Sequence, residues 1–254
     1  MQRILILILI CGLKLSVAAE NSEQITKWEY SIKFIKIPST RLTFLFNQNY
    51  QIDTEQYLQI KVTSNSHGFF SRLFWVKNYY EALIDPVTHL PVRLYKKINQ
   101  KNIKQEWTIN YDQQKNLAKI DSTRIWKIPK NCNNFFSILF YFRKQPLKVN
   151  DIYRLNIDVE CLSWQATAKV LAAEILTLDT GKINAVKLEL QYQPIDSEQK
   201  RPWKTDLLTN RIAGKSQKMH LWYSADPEKV LLRVDFDSKT SMSLKSKAKL
   251  VDIK

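Results

Sequence analysis

Three histidines, His67, His89 and His220, stand far apart in a chain of 254 residues, with no His-Glu-x-x-His or paired-cysteine frame around them. Zinc needs several ligands at defined spacing, so the sequence predicts no metal site. It contains no Gly-x-Ser-x-Gly elbow, phosphate-binding loop or dinucleotide fingerprint, and four glycines would hardly supply such backbone cradles. Carboxylates on facing strands are the catalytic arrangement hardest to exclude, because Glu or Asp so placed can act as acid and base. Asp158 and Glu160 are the pair to weigh. They alternate with Tyr153, Leu155, Ile157, Val159 and Cys161, which predicts that both face solvent. Asp226, next to Pro227, reads as a turn builder. The expectation is a non-enzymatic protein without a cofactor, and a hydrolase ranks last among the readings.

The charge balance is a stronger signal. There are 39 Lys+Arg against 24 Asp+Glu, a formal +15. Lys245, Lys247 and Lys249 repeat at i, i+2 and i+4, on one face of a predicted C-terminal strand. Arg93, Lys96 and Lys97, with Lys101 and Lys104, cluster around one predicted hairpin. Such residues commonly just solvate a face and guard edge strands. Their functional alternative is contact with an anionic envelope surface, such as phospholipid or lipopolysaccharide head groups. Nucleic acid is disfavoured by the export signal described next.

Met1-Gln-Arg3, the apolar run Ile4–Leu13 and the small residues before Glu20 form a secretory signal peptide over residues 1–19. Cleavage after Ala18 is the alternative. The apolar run is too short to span a bilayer as a stable helix. Cys11 follows Ile10 instead of a small residue, which argues against a lipid anchor. Residues 20–254 are expected to be one β-rich periplasmic domain. Loss of Arg3 and Lys14 leaves 37 basic against 24 acidic residues, or +13. Cys132 and Cys161 remain, and in an oxidising compartment they are candidates for a disulfide closing a loop of about 30 residues. Two buried thiols are the other reading.

The elements that position these groups follow from period-two alternation. It runs through Trp28–Phe34, Leu42–Phe46, Leu58–Val62, Leu90–Leu94, Trp107–Tyr111, Tyr153–Cys161, Val186–Tyr192, Met219–Tyr223 and Val230–Phe236. Turn signals fall between the runs, at Asn47-Gln-Asn49, Asp85-Pro86, Asp112-Gln-Gln, Lys148–Asp151, Asp179–Gly181 and Asp226-Pro227. One segment is apolar nearly all round, starts with Asn and stops before Pro146. It predicts a buried helix at about 134–144, with a buried strand as the alternative. Gly68–Trp75 predicts a second short helix or an irregular crossing, and residues 194–216 a long polar loop. The fold class is therefore mainly β: a curled antiparallel sheet or incomplete β-barrel with one buried helix. Phe70, Phe74, Trp75, Phe136 and Phe140 would fill its core or line an apolar cavity able to enclose an acyl chain.

In order, Gly68-Phe-Phe-Ser-Arg-Leu-Phe74, Tyr80–Pro86, Leu90–Tyr95, Phe135–Arg143, Val149–Tyr153, Asp179–Lys187 and Leu221–Pro227 resemble the bacterial envelope family called domain of unknown function 3108, over residues 28–253. The resemblance implies a β-rich exported domain and carries no catalytic residues. Together these readings predict an exported envelope protein that binds a lipid or other apolar component. A structural or assembly factor contacting envelope proteins or cell-wall polymer is the alternative.

Overall fold

The structure is a computed structural model. It describes residues 25–253 except 35–36, 69, 74, 179–180, 197, 199–205, 207–208, 210–211, 216 and 239–245. The expected signal peptide lies outside the described residues. In chain order the elements are β1 (Ile25–Phe34), β2 (Ile37–Ile52), β3 (Glu55–Ser66), α1 (Phe70–Leu73), β4 (Lys77–Ile84) and β5 (Pro91–Gln100). Next come β6 (Ile103–Asp112), β7 (Leu117–Lys119), β8 (Ile125–Lys127), β9 (Cys132–Asn134) and α2 (Phe135–Lys144). The chain ends with β10 (Ile152–Val159), β11 (Leu162–Leu178), β12 (Gly181–Pro194), β13 (Gln217–Ser224), β14 (Leu231–Ser238) and β15 (Ser246–Ile253).

All fifteen strands form one sheet, ordered β8-β7-β6-β5-β4-β3-β2-β1-β15-β14-β13-β12-β11-β10-β9. Neighbours are antiparallel except β9 and β10, which run parallel. The first and last strands pair in the middle of the sheet, Trp28 opposite Ile253. The middle of the chain supplies both edges, and each edge strand is only three residues long. The alternating apolar positions meet on one face: Trp28, Tyr30, Phe44, Ile60, Val62, Tyr80, Ile157, Val159, Leu188, Leu221 and Tyr223 all belong to one buried core. The expected curled sheet with one substantial buried helix is what the chain forms.

That helix is α2. Ten residues would not hold a helix in water, so its stability comes from its caps and its burial. Asn134 Oδ1 accepts from Ser137 N at 2.8 Å while Ser137 Oγ accepts from Asn134 N at 2.9 Å, a reciprocal capping box. Arg143 and Lys144 occupy the last turn, where cations complement the helix dipole. Phe136, Ile138, Leu139, Phe140 and Phe142 are buried. Tyr223 Oη on β13 donates to Leu139 O at 3.0 Å, and the Arg143 guanidinium lies 4.7 Å from the Trp28 ring. The helix is thereby fastened to the concave face of the sheet.

Local expectations fail in two places. Asn47–Asn49 is no turn: β2 runs on to Ile52, the ladder to β3 bulges between Asn47 and Tyr50, and the reversal falls at Asp53-Thr54. Residues 162–178, most of which the alternating runs leave unassigned, form the longest described strand through pairing with β12. The 194–216 segment is not simply a polar loop, since Asp206, Thr209, Ile212 and Ala213 are buried.

Candidate functional site

The two ends of the sheet overlap. On β10, Ile157 and Val159 point into the main core. Asp158, on the opposite face of the same strand, meets β6 and β8 from the far end of the sheet. Tyr111 Oη donates to Asp158 Oδ2 at 3.2 Å and Trp126 Nε1 to Oδ1 at 3.1 Å. Gln113, in the turn after β6, donates to Cys132 O at 2.9 Å and accepts from Cys132 N at 3.2 Å. Its amide thus stands in for the strand that edge strand β9 lacks. Ile109, Tyr111, Ala118, Ile128 and Cys132 form a small second core beneath this overlap.

The seam is joined by polar side chains instead of a backbone ladder. Lys96 Nζ on β5 lies 2.6 Å from Glu160 Oε2, with the Lys and Glu side chains 1% and 5% exposed. The same ammonium sits 4.8 Å from the centroid of the Trp107 ring. Thr209 Oγ1 bonds Glu160 Oε1 and lies 3.0 Å from Asp206 Oδ2. Asp206 accepts in turn from Asn78 Nδ2 at 3.2 Å, from Gln100 Nε2 and from Tyr80 Oη. One continuous chain of polar contacts therefore ties β4, β5, the β10–β11 turn and the 206–209 segment together. Buried polar groups must be satisfied in this way, because each left unpaired costs about 1–3 kcal/mol.

Backbone strain marks the same place. Glu160 and Cys161 are the two central residues of the β10–β11 hairpin, with φ of 54° and 63°. A two-residue turn of this kind favours Asn-Gly, since a side chain in the left-handed region costs roughly 1–2 kcal/mol. Such strain persists where the surroundings over-determine it, as the Lys96 and Thr209 contacts do here.

Electrostatics follow burial. Enclosure pushes the Asp158 carboxyl up from 3.8 to about 7; the Trp126 bond opposes the shift and the nearby Glu160 adds to it. Burial also raises the Tyr80, Tyr111 and Cys132 acids. A cavity of about 20 Å³ lies in the seam, bordered by Tyr80, Lys96, Tyr111, Asp158, Glu160 and Thr209 among others. That is room for about one water molecule. Among the described residues no group of His, Cys, Asp and Glu could hold a metal.

These positions correct several expectations. Asp158 and Glu160 do not face water, because the far end of the sheet covers the outer side of β10. Lys96 is no surface contact: it is buried and paired. Lys97 is exposed and bridges to Glu106 at 2.9 Å, and Arg93 is half-buried. Lys247 and Lys249 lie on β15, opposite Asp235 and Arg233 of β14, while Lys245 falls outside the described residues. Since β4 to β1 separate β5 from β15, the two basic clusters do not combine. Cys132 and Cys161 are both buried and no disulfide joins them. Of the expected cavity residues, Phe136 and Phe140 are packed in the core, while Trp75 is 41% exposed. The side chain of Phe70 and all of Phe74 lie outside the described residues. Alternation could not have revealed the seam, since it reports one covered face of a strand and β10 has two.

Comparison with known proteins agrees with the fold. The family model described as "Protein of unknown function (DUF3108)" matches residues 29–245. Among curated proteins no relative matches the sequence. A β-barrel-like protein of the domain of unknown function DUF1849 from Brucella abortus superposes with a TM-score of 0.58 at 8% identity, over 90% of this chain and 96% of the other. A "putative lipoprotein" of Parabacteroides distasonis gives 0.37 at 12% identity, over 90% and 94% of the two chains. A "putative exported protein" with YmcC-like fold from Bacteroides fragilis gives 0.34 at 11%, over 90% and 95%.

Proposed function

The chain belongs to the DUF3108 family of unknown function, and on that premise we propose that it is an exported, non-enzymatic envelope protein acting through its outer surface, as a structural or assembly factor. The observation that carries this reading is the packing of α2 into the concave face of the sheet, among the described residues. A curled sheet could hold an acyl chain only if its concave face were free, and here α2 occupies it. Binding sites for small ligands run to roughly 300–1,000 Å³. The seam cavity, at about 20 Å³, is far smaller.

The buried carboxylates support the non-enzymatic reading, because their acceptor oxygens are already engaged by Lys96, Thr209, Tyr80, Tyr111 and Trp126. Export rests on the N-terminal residues 1–19, which have the three-part form of a cleaved leader. Among the described residues no helix is long and apolar enough to cross a membrane. Native mass spectrometry of the protein purified from its source envelope tests the reading. The expected spectrum is the chain cleaved near residue 19 without bound lipid; a stoichiometric lipid or other apolar molecule would overturn it.

A further inference from the structure

Between β3 and β4 the chain leaves the sheet for the excursion that contains α1, and it returns at Trp75. The return is held firmly. Val76 N donates to Ser66 Oγ at 3.0 Å, Ser66 N to Val76 O at 2.9 Å, and Lys101 N to Trp75 O at 3.3 Å. Val76 also bridges to Gln100 of β5. On this fixed backbone the indole of Trp75 stays 41% exposed. The Trp ring with its one N–H suits a boundary that is apolar on one side and wet on the other.

Exposed cations flank it in the chain and on the turn bonded to it: Arg72 in α1, Lys77 at the start of β4, and Lys101 and Lys104 in and after the β5–β6 turn. None of the four takes part in an ion pair among the described residues. Neither 65–78 nor 99–105 contains an acidic residue. The geometry points to this Trp75 tip as the site where the protein docks on an anionic phospholipid surface. The indole sits among the head groups while the four cations face lipid phosphates. Charge complementarity chooses this occupant: the Asp206 carboxylate nearby is buried against Asn78 and Gln100, and a rim exposing these four cations attracts an anionic plane at about 1 kcal/mol per cation.

The inference rests on the surface-acting reading above and names its partner. The test uses residues 20–254, which include every described residue, and vesicles of phosphatidylglycerol with phosphatidylcholine, or of phosphatidylcholine alone. The protein should float with the anionic vesicles at low ionic strength, bind them less as salt rises, and ignore the neutral ones. Lys101→Gln with Lys104→Gln should weaken partition about 25-fold, about fivefold for each charge removed. Lipids brominated in the acyl chain should quench part of the fluorescence, and Trp75→Phe should abolish that part while the thermal melt is unchanged. No binding to anionic vesicles, equal binding to both kinds, or binding and quenching untouched by these substitutions would overturn the inference. A co-purified internal lipid would instead defeat the parent reading, so the two failures are distinct.

Discussion

Lys96 and Glu160 stand 64 residues apart in sequence, and their side chains meet at 2.6 Å across the overlap of the two sheet ends. Removing one member of a buried pair strands the other charge in a dry site, at a cost of about 3–5 kcal/mol. Lys96→Met should therefore lower the unfolding free energy by that amount in urea. Adding Glu160→Leu should restore most of the loss, because two apolar groups carry no such charge. A near-neutral Lys96→Met would show that the pair does not hold the seam.

Asp158 makes stability depend on pH. Its folded pKa lies above the ordinary 3.8, at about 7, so the folded protein binds the proton more tightly than the unfolded chain does. The stability this proton contributes is fully present below about pH 4 and is lost as the pH rises to about 7, by roughly 4 kcal/mol if fully expressed. Asp158→Asn can keep both contacts, with its Oδ1 accepting from Trp126 and its Nδ2 donating to Tyr111. The variant should show a flatter pH–stability profile over that range and greater stability than the parent at neutral pH. Parallel profiles for the two proteins would refute the assignment.

Asp206 is the anchor of the 206–213 segment. Asp206→Ala would leave Tyr80, Asn78 and Gln100 without their shared acceptor and leave Glu160 as the one side-chain partner of Thr209 among the described residues. Hydrogen exchange should quicken first at the Ile212 amide, which donates to Thr209 O at 3.0 Å, while the amides of α2 keep their protection. Uniform acceleration throughout the protein would mean that the segment is not a separable unit.

The cysteines give a direct check. A chain beginning at residue 20 should present two titratable thiols after unfolding under non-reducing conditions, and react only slowly while folded. Burial raises the Cys132 thiol and so keeps its reactive thiolate scarce. Finding no thiols after unfolding would restore the disulfide.

Most of the architecture was legible because it rests on local rules. Period-two alternation located the majority of the strands, and the all-round apolar run after Asn134 located α2. What escaped was non-local. β11 falls in none of the alternating runs, and the β12 ladder is what fixes it as a strand. Asp158 and Glu160 read as solvated because alternation assumes that one face of a strand is wet. The site's remaining members, Lys96, Tyr80 and Asp206, are scattered through the chain. Nothing in their local sequence signals that the sheet winds far enough to bring its edges together.

The pairing of β1 with β15 has a consequence for how the protein is made. Synthesis proceeds from the N-terminus, so β1 must wait for the eight-residue β15 before its second edge is covered. Until then β1–β8 and β9–β14 are two separate runs of paired strands, with β1 and β14 each open on one side. β15 is the zip that joins them. Without β15 the middle of the sheet would be unfastened, leaving β1 and β14 as two long borders where the described sheet has only three-residue edges.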